Sequence, residues 1–268
     1  LWLEDNTQVK IVLAGGIVFA AGAAQDKLVL DGSTTVGPIA KAFAEHLMRQ
    51  DPAINITVSE SGSGNGAKAL LNGTCDIATL SRHLKDAEKE AMEAKGLKPV
   101  AHVAAYDALP VVVHPSNKVG DLTIEQIRDI YTGKIANWKD DGGFDKPIVV
   151  ISRDTNSGTY ETFAELVLGK DGKVAKTAEY AGSNGAIRQR VQKTEGAIGY
   201  VGIGFIDDTV KVVKVNGVAP SVETALDKTY PINRELFMFT NGEPAAGSLA
   251  AKFLGLITSR EGAAMVEE

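Results

Sequence analysis

From residue 28 onward, short apolar or β-branched runs alternate with helical patterns, and several runs stop on clusters of serine, threonine and glycine. Strand followed by helix, repeated, predicts an α/β architecture with mostly parallel strands. Residues 28–30 read as the first strand, and Val36, Ile39, Ala40, Phe43 and Leu47 mark one face of a helix. Pro38 falls in its first turn, where a missing N–H costs little. Ile54, Ile56 and Val58 alternate as a strand, followed by a short helix over 67–71, a strand over 76–80 and a charged helix over 86–94. Residues 100–104 and 109–113 look extended. Thr123-Ile124-Glu125-Gln126 has the form of a capping box and opens a second α/β unit. Strands over 148–151, 197–201 and 210–215 and helices over 159–168 and 184–192 can form its sheet, while a strand over 235–240 and a helix over 248–257 can return to the first unit.

Three clusters between strand and helix share one chemistry. Arg153-Asp154-Thr155-Asn156-Ser157-Gly158-Thr159 brings a guanidinium, hydroxyls and helix-entry amides together. The first N–H groups of a helix lack internal partners and sit at the positive end of its dipole, so an anion is favoured there. Asp31-Gly32-Ser33-Thr34-Thr35-Val36-Gly37-Pro38 repeats this logic after the first strand. Ser61-Gly62-Ser63-Gly64-Asn65-Gly66-Ala67 adds glycines that let backbone amides approach a ligand. The next strand ends in Leu80-Ser81-Arg82, with one more hydroxyl and a second guanidinium. Each cluster alone also reads as an ordinary helix cap, a glycine turn or a solvated arginine. Their joint occurrence at four strand ends points to one oxyanion enclosed between two domains, whose binding favours a closed state.

The 268 residues suffice for two domains, and a hydrophobic content of 44% is that of a globular protein. A formal charge of −6 argues against nucleic acid as the main partner, because phosphate-backbone binding calls for a basic face. The single cysteine excludes an internal disulfide framework, no Cys/His spacing resembles a zinc site, and the four histidines are scattered, so neither metal nor cofactor is implied. Residues 10–24 carry one lysine, an apolar stretch and the ending Ala20-Ala21-Gly22-Ala23-Ala24, which resembles a secretory signal and implies a periplasmic location. Residues 1–9, ahead of it, carry no reading.

In this order, the residues from about 28 to the end resemble the phosphate-binding subunit of the phosphate-specific ABC importers, a periplasmic-binding-protein family. Framework segments carry the likeness too: Tyr131-Thr132-Gly133-Lys134-Ile135-Ala136-Asn137-Trp138-Lys139 and Gly196-Ala197-Ile198-Gly199-Tyr200-Val201-Gly202. The resemblance implies an α/β, two-domain type II clamp with two crossover segments. Residues 1–25 would be an extension and signal-like segment, 26–110 plus 230–268 domain I, and 111–229 domain II. It implies a non-enzymatic, monomeric receptor that captures inorganic phosphate and delivers it to the membrane permease subunits of an ABC importer. Ser33, Thr34, Thr35, Ser63, Ser81, Arg82, Arg153, Ser157, Gly158 and Thr159 would form the site, Thr34 acting through its hydroxyl and Thr35 through its backbone N–H. Ser81 stands where some relatives place an aspartate that accepts the proton of hydrogen phosphate. The family's chain usually runs a little past the equivalent of Glu268, which suggests a truncated C-terminus.

Other functions have weaker support. Gly62-Ser63-Gly64-Asn65-Gly66-Ala67 also fits a dinucleotide fingerprint, with Arg82 where a 2′-phosphate would lie, but the helix after it is short. A phosphoester hydrolase would need Ser63 or Ser157 as nucleophile, and neither sits in a Gly-x-Ser-x-Gly elbow or near a histidine in sequence. Sulfate, molybdate or tungstate receptors would share the clamp; the arginine with Ser-Gly-Thr favours phosphate.

Overall fold

The computed structural model describes residues 27–267, in two sheets with helices packed against them. The signal-like segment over 10–24 lies outside the described residues.

The first sheet has five strands in the order β2-β1-β3-β11-β4. It is built from β1 (Lys27–Gly32), β2 (Asn55–Ser59), β3 (Ile77–Leu80), β4 (Pro99–Ala108) and, from the far end of the chain, β11 (Asn233–Asn241). β1 runs parallel to β2 and β3, whereas β11 is antiparallel to β3 and β4. The second sheet has six strands in the order β6-β10-β5-β9-β7-β8. These are β5 (Val111–Val113), β6 (Asp121–Leu122), β7 (Val149–Arg153), β8 (Glu179–Ala181), β9 (Ala197–Tyr200) and β10 (Lys211–Val215).

The strands are therefore more mixed in direction than their alternation with helices suggested. The cause is the late return of the chain. β11 enters between β3 and β4 against their direction, and β5 pairs antiparallel with both β9 and β10. The chain leaves the first sheet through Leu109 and Pro110 and comes back through Ile232, and the Leu109 amide donates to the Ile232 carbonyl at 2.7 Å. Both connections between the sheets are thus tied side by side.

Helices α1 (Gly37–Gln50), α2 (Ser63–Asn72) and α3 (Asp86–Ala94) belong to the first unit. α4 (Ile124–Thr132) begins at the Thr123 capping box, in which the Thr123 hydroxyl accepts from the Gln126 amide and the Gln126 side chain accepts from the Thr123 amide. α5 (Gly158–Phe163) is shorter than its apolar pattern predicts, because the chain widens into one π turn over Ala164–Leu168. α6 (Asn184–Lys193) and the short α7 (Val222–Leu226) complete the second unit, and α8 (Leu249–Gly255) and α9 (Arg260–Glu267) close the chain. β6, β8 and α7 carry too few periodic residues to be legible in sequence.

Each sheet has its own apolar core. Leu28, Leu30, Phe43, Ile77, Met238 and Phe253 pack under the first sheet, and Ile127, Tyr131, Trp138, Phe163, Ile198 and Tyr200 under the second. The framework segments supply Tyr131, Trp138 and Tyr200, all fully buried. The Phe163 and Tyr200 rings stack at 3.9 Å, and Trp138 Nε1 donates to the Gly196 carbonyl at 2.9 Å. Burying such side chains stabilises by about 1.5–3 kcal/mol each, and the Tyr200 stack runs directly under the end of β7.

Candidate functional site

The first wall is the turn after β1. The Ser33 amide donates to the Thr79 carbonyl at 2.8 Å and to Thr79 Oγ1 at 2.9 Å. Ser33 Oγ accepts the Thr35 amide at 3.1 Å and the Val36 amide at 3.3 Å. This corrects one expectation: the Thr35 N–H is taken up by its own turn, and the hydroxyl of Thr35 faces the second wall instead. Nearby, Ser63 opens α2, and its Oγ lies 3.2 Å from Ser81 Oγ and accepts the Ser81 amide at 3.1 Å. Gly66 lets α2 lie against the end of β1, since a Cβ there would stand 2.7 Å from the Asp31 carbonyl oxygen.

The second wall is built on β7 and α5. Arg153 ends β7 and is 1% exposed. Tyr200 Oη accepts the Arg153 amide at 3.1 Å and pairs with Ser152 Oγ at 2.9 Å, so the aromatic stack fixes the backbone from which the guanidinium departs. Burial pushes the Tyr200 hydroxyl up to about 12, keeping it neutral. The guanidinium donates to the carbonyls of Ala181 and Gly182 at 3.1 and 3.0 Å, to Asn184 Oδ1 at 3.5 Å, and across the cleft to Thr34 Oγ1 at 3.1 Å. All these partners are neutral. Burial lowers the guanidinium to about 10, which leaves it charged at neutral pH with that charge uncompensated by a bonded carboxylate.

Ser157 caps α5 by accepting the Tyr160 amide, which leaves its hydroxyl one proton and one lone pair to offer. Ser33, which accepts two amides, keeps only its proton to offer. Gly158 begins α5 against the other wall, where a Cβ would collide with Ser63 Oγ and Ser81 Oγ. Thr159 Oγ1 lies 3.0 Å from Thr35 Oγ1. Among the described residues, the amides of Thr34, Ser63, Gly158 and Thr159 have no acceptor. Buried amides without partners are costly, so four at one place mark a receptor for negative oxygen.

Nine of the ten expected residues thus come together where the sheets meet: Ser33, Thr34, Thr35, Ser63, Ser81, Arg153, Ser157, Gly158 and Thr159. Arg82 does not. Its guanidinium bonds both oxygens of Glu88 at 2.8 and 2.9 Å, and its Nε lies 2.6 Å from Glu161 Oε2, with Lys85 Nζ at 3.1 Å from that same oxygen. Two carboxylates already satisfy its charge. The expectation that Arg82 contacts the anion is corrected to an ion pair joining the segment after β3 to α5.

Three residues were missed in sequence. Asn184 at the start of α6 is fully buried; its Nδ2 donates to Thr35 Oγ1 at 3.0 Å and its Oδ1 accepts the Gly202 amide at 3.3 Å. Arg234 of β11 donates from Nη2 to Thr35 Oγ1 at 3.3 Å and from Nη1 to the Ser81 carbonyl at 3.4 Å. Its Nε and Nη2 also donate to Asp107 Oδ2 at 2.9 and 2.7 Å. Burial raises the Asp107 carboxyl, with Arg234 opposing that rise, and burial lowers Arg234, with Asp107 opposing. Ser183, a helix cap before Asn184, was the one local signal for that residue; Asp107 and Arg234 are 127 positions apart and had none.

The chain is also similar to known proteins along most of its length. Residues 18–261 match the model of the PBP superfamily domain. The phosphate-binding protein PstS of Staphylococcus saprophyticus is 34% identical over 85% of this chain and 74% of its own, and that of Bacillus subtilis is 32% identical over 89% and 77%. An X-ray structure from Clostridium perfringens, of a phosphate ABC transporter substrate-binding protein with bound phosphate, is 39% identical, with a TM-score of 0.83 over 90% of this chain and 97% of its own. An ABC-type phosphate transport receptor from Vibrio cholerae superposes with a TM-score of 0.74 at 30% identity, over 90% and 97% of the two chains. With a matched domain spanning nearly the whole chain and relatives of this similarity, the chain belongs to the PBP superfamily and, within it, to the phosphate-binding PstS proteins.

Proposed function

We propose that this protein binds inorganic phosphate between residues 26–110 plus 230–268 on one side and 111–229 on the other, and hands it to the permease subunits of an ABC importer outside the cytoplasm. One observation carries the reading: a buried guanidinium without a carboxylate partner, Arg153, meets threonine hydroxyls and unpartnered helix-entry amides drawn from both sheets. Thr34, Thr35, Ser63, Arg153, Ser157, Gly158 and Thr159 would surround the anion, with Ser33 and Ser81 supporting them. The two walls touch through Thr35 and Thr159, so an anion reaches its partners only when the clamp opens, and closing around it is driven by the contacts it makes to both walls. Ser63 Oγ is engaged with Ser81 and Ser157 Oγ with the Tyr160 amide, which leaves neither serine the histidine base that a nucleophile needs. The protein would act as a monomer and a carrier, releasing the ligand unchanged.

Calorimetry with phosphate, arsenate, sulfate and molybdate tests this. Phosphate is expected to bind most tightly, and Arg153→Ala to weaken it by at least about a hundredfold, since a charge-assisted contact in a dry site is removed. Equal affinity in the variant would refute the site.

A further inference from the structure

We propose that Arg234, held by Asp107, is a specificity-determining positioning residue that forces the Thr35 hydroxyl to act only as a donor and so biases the site toward the more fully ionised form of its oxyanion. The inference rests on the phosphate reading and deepens it.

The count of hydrogen bonds at Thr35 Oγ1 carries it. A hydroxyl has one proton and two lone pairs. Asn184 Nδ2 approaches Thr35 Oγ1 at 3.0 Å and Arg234 Nη2 at 3.3 Å, and neither an amide NH₂ nor a guanidinium can accept a proton in return. Both lone pairs are thereby used. The Thr35 proton must point to Thr159 Oγ1, 3.0 Å away, or to an oxygen of the anion placed between the two walls. Thr35 therefore has no lone pair left to accept the proton of a protonated ligand oxygen.

Asp107 makes Arg234 dependable in this role. Arg234 and Asp107 are both more than nine-tenths buried, and Asp107 Oδ2 takes two bonds from Arg234 while its Oδ1 accepts the Ile203 amide at 2.9 Å. Nη2 has two protons, one for Asp107 and one for Thr35. Because Asp107 cancels its charge, Arg234 adds direction without adding net attraction, and Arg153 remains the source of positive potential. The charged or titratable groups on the anion side of this cluster are Asp107 from β4, Arg153 from β7, Tyr200 from β9 and Arg234 itself, while on its far side Arg234 shares a cavity with Arg82, His83, Glu161, Lys228 and Glu235. Burial lowers the Arg153 guanidinium only to about 10 and pushes the Tyr200 hydroxyl up to about 12, so neither changes charge between pH 6 and 8.5, and two bonds from Arg234 oppose the rise that burial imposes on Asp107. The group at the anion-binding walls that changes charge in this range is phosphate itself.

Phosphate affinity is measured by calorimetry at pH 6 and 8.5 in the parent protein, in Thr35→Val, in the paired variant Arg234→Met with Asp107→Asn, and in all three substitutions combined. In the parent, affinity is expected to rise about tenfold between the two pH values, following the fraction of dianion. The paired variant frees a lone pair on Thr35 and is expected to cut that ratio by about threefold or more, while the triple variant binds no worse than Thr35→Val alone. An unchanged pH ratio in the paired variant, or additive losses in the triple, would overturn the proposal. If the paired variant does not fold, Thr35→Val decides: a ratio equal to the parent's overturns it and a flattened one supports it. A parent protein that binds no phosphate at either pH refutes the phosphate reading instead, which keeps the two failures apart.

Discussion

At the scale of single residues, the site depends on what each side chain is prevented from doing. Arg153 is buried among carbonyls, an amide oxygen and a hydroxyl, so its charge is left for a ligand, whereas Arg82, with the same side chain, is consumed by Glu88 and Glu161. Gly158 is present because no Cβ fits between α5 and the two serine hydroxyls. Gly158→Ala is expected to weaken phosphate binding more than tenfold, about 1.4 kcal/mol or more. The collision lies between the walls and not inside either core, so the thermal midpoint measured without phosphate should stay within a few degrees of the parent's. A large fall in that midpoint would place Gly158 in the fold and not in closure.

At the scale of elements, the Arg82 cluster connects the segment after β3 to α5, the helix whose first amides face the site. Glu161 is the bridging carboxylate, with Arg82 and Lys85 on one oxygen, and the pair is largely shielded from solvent. Removing one partner of such a pair leaves an unpaired charge, so the arrangement with α5 against β3 is weakened. Glu161→Gln is expected to speed phosphate release by about tenfold with a smaller change in the association rate, read by stopped-flow fluorescence. A slower association with unchanged release would contradict that assignment. The acid side of the same cluster is testable as well. Burial raises Glu88, but its bonds to Arg82 and the Lys85 amide outweigh this and hold its carboxyl below the usual value. A carboxyl lowered in the folded state contributes stability above its unfolded pKa, and that stability is lost as pH falls through the folded one. Urea unfolding at pH 7 and below pH 4 should therefore show a smaller acid loss in Glu88→Gln than in the parent; an identical loss would rule Glu88 out as a source.

At the scale of the whole molecule, two sheets with separate cores are joined by two strands of chain that lie side by side at Leu109 and Ile232. Such a joint allows the walls to part while each core stays packed. Saturating phosphate is expected to compact the protein in small-angle scattering and to raise its thermal midpoint, with about 2.7 kcal/mol added at a hundred times the dissociation constant. No change in radius with a raised midpoint would mean binding without closure. Much of this architecture was legible in the chain. β1, β2, β3 and β7 stand out as short apolar runs, α4 is announced by Thr123 and Gln126, and the hydroxyl clusters at 33–35, 63 and 157–159 lie at the strand ends where the fold puts them, because helix entry and strand length are properties of a few neighbouring residues. What sequence could not determine is which distant groups meet. The insertion of β11 between β3 and β4, the turning of Arg82 away from the site, the capture of the Thr35 amide by Ser33 and the arrival of Arg234 and Asn184 on the Thr35 hydroxyl all follow from packing. The sequence by itself determined the local chemistry, strands that end in anion-seeking turns. The tertiary structure alone decided which charge stays unpaired and which hydroxyl can only donate, since both depend on partners brought within about 3 Å from positions far apart in the chain.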